Sequence, residues 1–214
     1  MVTNLTKKKI KDIQIDEALV FINYGTAKSQ ILGPTRGGGE FVATATVRPI
    51  EFDGRRGKTA GMEVIEEQAA SIKLTTLCMS QEDLARAIPN CVVEDDEGQT
   101  IQNPESGVVS DDSYIENITV FAKLLGGAYK KITVFNAMHE SGISTKAVQK
   151  AEGELGLEFH AHYPKSDLNG KGKLWKVENV KTAPEQPKDT EAQAASVEPE
   201  EQTTGDEPES TTQE

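Results

Sequence analysis

The chain has little of what marks most function classes. With two cysteines and three histidines in 214 residues, it offers neither a disulfide framework nor a spaced set of metal ligands. Cys78 and Cys91 show no metal-type spacing, and separated cysteines in a reducing compartment read as small buried hydrophobes. Aromatic residues make up 5% of the chain with a single Trp, which disfavours a sugar-binding face. There is no apolar run of about 18 residues to span a bilayer. The N-terminus lacks the apolar core of a signal peptide, so the expectation is a soluble chain that starts in a cytoplasm. Lys7, Lys8 and Lys9 are too isolated to change that, and without secretion the glycosylation patterns at Asn4 and Asn117 carry no physical weight. Positive charge is also short: the net charge is −12, which argues against sequence-specific nucleic-acid binding.

Catalytic and cofactor motifs fail on inspection of their parts. Gly57-Lys58-Thr59 resembles the end of a phosphate-binding loop, but Phe52 stands where that motif needs its first glycine, and a strand rather than a helix follows. His160 and His162 fall on one side of a strand, with His139 as a third ligand brought in by folding. The plainer reading is a polar strand face. No Ser/His/Asp or Cys/His arrangement and no singled-out carboxylate pair is present. The expectation is a protein that is not an enzyme and needs no metal or cofactor.

What is present is β-pattern. The stretch from Gly54 to Pro89 reads as loop, long strand and short capped helix. Ala70, Ile72, Leu74, Thr76 and Cys78 alternate with Ser71, Lys73 and Thr75, giving one buried face. At Ser80 the period changes: Ser80 and Asp83 suit a capping box, Leu84, Ala87 and Ile88 share one helical face, and Pro89 ends the helix. So short a helix must cover a sheet to be stable. Ala18 to Tyr24 is apolar on both faces, as in a central strand. Phe41, Ala43, Ala45 and Val47 alternate with Val42, Thr44, Thr46 and Arg48 as an amphipathic strand. Pro49 then marks an edge, a bulge, or the point where the strand becomes a projecting arm. Val92 to Glu97 and Thr100 to Gln102 read as a hairpin or a loop. Ile118 to Ala122 and Ile132 to Met138 read as a hairpin about Gly126-Gly127. Glu154 to Tyr163 and Leu174 to Val177 complete the strands. This punctuation predicts a mainly β fold, an antiparallel sandwich or barrel with one short flanking α-helix, and excludes a parallel α/β fold.

Domain limits follow from composition. Residues 1–15 read as an N-terminal arm and 16–181 as the β-domain, with 53–61 a projecting loop and 80–89 the helix. Residues 182–214 carry ten acidic side chains against Lys188, a net of −9, with four of the nine prolines. This segment lacks the apolar surface to offset ordering entropy and is expected to be a disordered acidic tail. It is also expected to be dispensable for folding.

Two Gly/Arg segments, GPTRGGG at Gly33 to Gly39 and DGRRGKTAG at Asp53 to Gly61, flank one strand. Arg36, Arg55, Arg56 and Lys58 within them are candidate contact residues for a neighbouring subunit.

The run LGPTRGGGEFVATATVRPIEFDGRRGKTAGMEVIEEQAASIKLTTLCMSQEDLARAIP resembles the N-terminal part of major tail, or tail tube, proteins of long-tailed, non-contractile phages and prophages of Gram-positive bacteria. ITVFNAMHESGISTKAVQKAEGELGLEFHAHYPKSD, followed by LWKVE, resembles the same family's last strands. Together these cover most of Asp16 to Glu178, and the acidic tail has no counterpart. The resemblance implies a virion structural protein, a β-sandwich subunit that assembles in the host cytoplasm. It would close with its own copies into hexameric rings stacked into a tube for genome ejection. Tape measure, tail terminator and distal tail proteins would be further partners, and DNA would pass the lumen without specific binding and without a membrane step. Copies joined head to tail do close rings or extend filaments. Set against this are a surface, capsid-decoration or ligand-binding sandwich and the inner tube of a contractile secretion system.

Overall fold

The structure, a computed structural model, describes residues 7–77, 80–94, 100–103, 106–144 and 152–184. Its centre is the hairpin read from the sequence, β7 (Ile115–Leu124) with β8 (Tyr129–His139), in which Ile118 faces Val134 and Val120 faces Ile132. Gly127, at φ 84°, takes the turn. Its neighbour Gly126 is held for a different reason: a Cβ there would stand 2.8 Å from Cβ of Lys11. Lys11 ends α1 (Lys7–Lys11), a second short helix that the sequence pattern did not predict. The carbonyls of Lys11 and Ile13 accept from Gly126 N and Leu125 N, at 2.9 and 2.8 Å.

Around this hairpin lie β1 (Gln14–Ile22), β2 (Gln30–Ile31), β3 (Thr35–Pro49), β4 (Glu63–Thr76), β9 (Leu155–Ala161) and β10 (Trp175–Val180). The order is β2-β1-β7-β8-β9-β4-β3, with β10 also on β8, and every pairing is antiparallel. β5 (Val92–Glu94) and β6 (Thr100–Gln102) make a separate two-stranded sheet, which settles the ambiguous segment as a hairpin.

The sheet is open, but it curls over on itself. Val20 and Ile22 of β1 join Ile72 and Leu74 of β4 and Leu155, Leu157 and Phe159 of β9 in one buried cluster. Residues from opposite ends of the strand order share that core, so the two halves of the sheet face one another as layers of a sandwich do. Phe41 of β3 touches Trp175 of β10 edge to face, centroids 5.6 Å apart, across the gap between the halves. The expected sandwich or barrel is therefore a single antiparallel sheet folded back without closing. Among the described residues, β1 and β3 approach but do not pair.

The helix α2 (Gln81–Arg86) is built as its sequence demands. Ser80 is the N-cap, its Oγ accepting from Asp83 N at 3.2 Å and donating to Asp83 Oδ2 at 2.6 Å. Ala87 is wholly buried in the core cluster, and Leu84 packs half-buried against it. The expected buried face of β4 is as read: Ala70, Ile72, Leu74 and Thr76 are all buried. Cys78 lies outside the described residues, as does the acidic tail beyond Pro184.

Candidate functional site

The sequence pattern of β3 calls for a buried face, and among the described residues the structure leaves much of that face bare. β9 covers β4 only from Ser71 to Thr76. The rest of the β3–β4 hairpin, out to Pro49 and Glu63, runs on as a two-stranded ribbon beyond the body of the sheet. A lone two-stranded hairpin is marginally stable in water.

Register assigns the ribbon's faces, because opposite residues of an antiparallel pair share one face. Phe41 lies opposite Ile72, Ala43 opposite Ala70, Ala45 opposite Gln68 and Val47 opposite Ile65. That row starts at core residue Ile72 and continues outward in apolar side chains, broken only by Gln68. The register shifts between Thr46 and Val47, leaving Glu66 as an extra residue on β4. This bulge brings Ile65 onto the same face as Val47. Val47 is 45% exposed and Ile65 55%, and at the outer end Ile50 and Phe52 are exposed as well. The opposite face carries Thr44, Thr46, Glu67 and Arg48, with Val64 at its outer end. Arg48 Nε pairs with Glu66.

The four cations named from sequence take different roles. Arg36, at the base of β3, bonds Glu152 at 2.7 Å and Glu154 at 3.0 Å. Its pKa is raised chiefly by the bond to Glu152, and the Glu152 carboxyl is held below its usual range by the same contact. Arg55 turns back into its own loop, Nη1 to Glu51 Oε1 at 2.6 Å and Nε to the Gly57 carbonyl at 2.7 Å. Lys58 lies 3.9 Å from Glu63. Arg56 is exposed and, among the described residues, makes no ion pair. The structure does not gather these cations into one cluster: one ties β3 to the segment before β9, and three sit at the ribbon's tip.

The histidines do not converge either. His139 is 1% exposed and both its nitrogens are used within the chain: Nδ1 accepts from Glu158 N at 2.7 Å and Nε2 lies 3.1 Å from the Gly142 carbonyl. His160 faces Glu158 at 3.8 Å and His162 faces Glu140 at 3.2 Å. No group of three His, Cys, Asp or Glu is placed to hold a metal among the described residues. Likewise, no described helix is long and apolar enough to cross a membrane.

Two hollows remain. A groove of about 720 Å³ beside α2 is lined by Asn23, Arg86, Asn90, Ser113 and Glu116 among others. Its polar groups serve the chain itself: Asn90 Oδ1 accepts from Ser110 N at 2.7 Å, and Asn23 Oδ1 from Glu116 N at 2.8 Å. A cleft of about 410 Å³ follows the seam between β1 and β3, walled by Ala18, Gly38, Phe41, Val120 and Ile132. Cys91, Ser113 and His139 all line the first groove, but both His139 nitrogens are taken by backbone groups and Ser113 Oγ bonds Asn90, whereas the ribbon offers a largely apolar strip beside a tip of mixed charge, which suits contact with another protein surface. Compared with known proteins, the chain matches no family profile and no curated sequence.

Proposed function

We propose that this chain is the major tail tube subunit of a long-tailed phage or prophage, a structural protein whose copies form hexameric rings stacked into the channel for genome ejection. The observation that carries the reading is the bare apolar strip Ala43, Ala45, Val47 and Ile65, which leads out of the core on a ribbon with no cover among the described residues. Covering the half-exposed Val47, Ile65, Ile50 and Phe52 is worth about 1 kcal/mol each, since full burial of such side chains yields about 1.5–3. An assembly would supply that gain. The resemblance of the arm VRPIEFDGRRGKTAGM and of the closing strands to tail tube proteins names the assembly. With −9 of the net charge of −12 in residues 182–214, the β-domain is weakly acidic, which suits a wall along which DNA slides, because each cation in contact with phosphate would hold it. Assembly would take place in the host cytoplasm, with tape measure, terminator and distal tail proteins as partners at the ends and along the lumen. Nothing in this role needs catalysis or a cofactor.

The test is electron microscopy and sedimentation of the purified protein across a concentration series. Tubes of uniform diameter are the expected product. Monomers or discrete small oligomers at every concentration and salt would overturn the reading in favour of a decoration or ligand-binding module.

A further inference from the structure

The sheet is basic at the end where β10 finishes. Val180 lies opposite Tyr129, and Tyr129 in turn opposite Lys123. Lys130 is the next residue of β8, and Lys181 the next after β10. α1 sits against the same end, because the carbonyls of Lys11 and Ile13 accept from Gly126 N and Leu125 N in the β7–β8 turn. It brings Lys7, Lys8, Lys9 and Lys11. Seven lysine positions therefore fall here, against Asp12, Asp16, Glu17 and, across the β1–β3 cleft, Glu40. Seven less four is a surplus of three positive charges, in a chain whose net charge is −12. Lys9, Lys11 and Lys181 are exposed, and Lys130 is half-buried. Lys131 is outside this surplus, since its Nζ lies 3.1 Å from Glu178 Oε1 and 5.0 Å from the centre of the Tyr24 ring.

The acidic segment is attached at this same end. The chain leaves β10 at Val180, and Pro184 is buried, so its course after the strand keeps to the body. Residues 185–214, which lie outside the described residues, carry ten acidic side chains against Lys188. A net charge of −9 is thus tethered beside a surplus of positive charge.

Tethering decides whether that proximity counts. One exposed ion pair contributes about 0–1 kcal/mol. A linked segment is presented at an effective concentration of about a millimolar, so several such pairs together hold where one does not. Reach is no obstacle, since an extended chain covers about 3.3 Å per residue. The tail of a second copy in a micromolar solution is offered far more dilutely.

We propose that residues 185–214 dock on the lysine-bearing end of their own subunit, over α1, Lys123, Lys130 and Lys181, as an electrostatic cover. Uncovered, this end attracts phosphate, because each lysine that contacts a nucleic acid backbone releases a condensed counterion. Covered by carboxylates, it holds no polyanion. The proposal concerns the single subunit and does not rest on the tube reading.

Carbodiimide coupling of the dilute full-length chain, which joins an amine to a carboxylate only where the two touch, supplies the test. Peptides linking Lys9, Lys11 or Lys130 to carboxylates of residues 185–214 are expected in species of monomer mass. The reference is Lys171 and Lys173, exposed at the far end of β10; links to the basic end should outnumber links to them about tenfold and fade at about 1 M salt, where the screening length is about 3 Å. A full-length variant with the acidic residues of 185–214 changed to Gln and Asn should bind a DNA duplex at low salt about tenfold more tightly than the parent. Links spread evenly to Lys171 and Lys173, or no links, overturn the docking. Links found only in species of dimer mass give the site to a second copy's tail and overturn the intramolecular cover. Equal DNA affinity of parent and variant overturns the covering role. All of these outcomes leave the tube reading to its own concentration series.

Discussion

Asn136 and His162 hold each other at the point where the sheet divides. Asn136 Nδ2 donates to the His162 carbonyl, and His162 N donates to the Asn136 carbonyl, each at 3.2 Å. Asn136 has φ 45°, a left-handed conformation uncommon for residues with a side chain. Before it, β8 pairs with β10 from Tyr129 to Val134; after it, β8 pairs with β9 from Ala137 to His139. One residue thus turns β8 from one partner to the next. The body of the sheet and the β9-β4-β3 half part company there, and the ribbon is aimed outward as a result.

Asn136→Ala should cost about 1–3 kcal/mol, combining the left-handed strain of an alanine with a lost hydrogen bond. Asn136→Gly restores the backbone freedom and loses only the amide contact, at about 1 kcal/mol. Urea denaturation of the two variants gives the order. Equal losses would mean that the backbone angle carries no strain.

The helix α2 gives a graded series. Ser80→Ala should cost about 1 kcal/mol through the lost cap. Leu84→Ala should fall below the 2–5 kcal/mol of a fully buried leucine, because Leu84 is only half-buried. Ala87 is the wholly buried position, so Ala87→Leu, which overfills it, should cost about 1–3 kcal/mol. A parent-like melting temperature for Ala87→Leu would place the helix off the sheet.

Glu178 of β10 makes stability depend on acid. Lys176 at 2.5 Å and Lys131 at 3.1 Å hold its carboxyl below the ordinary 4.5, the Lys176 bond being the larger cause. A depressed carboxyl contributes stability fully above its unfolded pKa and loses that contribution as pH falls through the folded value. Glu178→Gln should therefore be less stable than the parent at pH 7, with the gap closing as pH drops below 4.5. Urea titrations from pH 7 to pH 3 measure the gap, and a gap independent of pH would remove Glu178 from the linkage.

Much of this was legible because local pattern and tertiary contact agree. The alternation from Ala70 to Thr76, the Ser80 cap and the Gly126-Gly127 hairpin each depend on neighbours close in sequence, and each is found as read. The helix α1 was not legible, since KKKIK has too little apolar surface to show a face. The ribbon was half legible. FVATATV reads as an amphipathic strand, but nothing local says that its apolar face has no cover among the described residues. Ile65 was hidden for a sharper reason: its odd number sets it out of phase with Ala70 and Ile72, and only the bulge at Glu66 brings it beside Val47. The bonds of Arg55, a candidate contact residue, to Glu51 and Gly57 were not legible, because those partners are chosen by the turn and not by spacing.

The ribbon's role can be separated from its stability. Val47 and Ile65 face each other on the apolar strip and are about half exposed. Changing either to Lys in the free subunit should therefore shift stability by no more than about 0.5 kcal/mol, as for ordinary surface sites. In an assembly the same charge would be buried without a partner, at a cost of several kcal/mol. Val47→Lys and Ile65→Lys should thus melt like the parent and raise the concentration needed for assembly by a hundredfold or more, since each 1.4 kcal/mol is a factor of ten. Arg56→Glu should act on the same assembly more weakly and through charge, with an effect that fades as salt shortens the screening length. Arg55→Glu differs, because it breaks the bonds to Glu51 and Gly57 and should loosen the tip at any salt. Sedimentation at two salt concentrations distinguishes these variants. Lysine variants that assemble at the parent's concentration would show that the strip is plain solvated surface, and the assembly would have to be sought on another face.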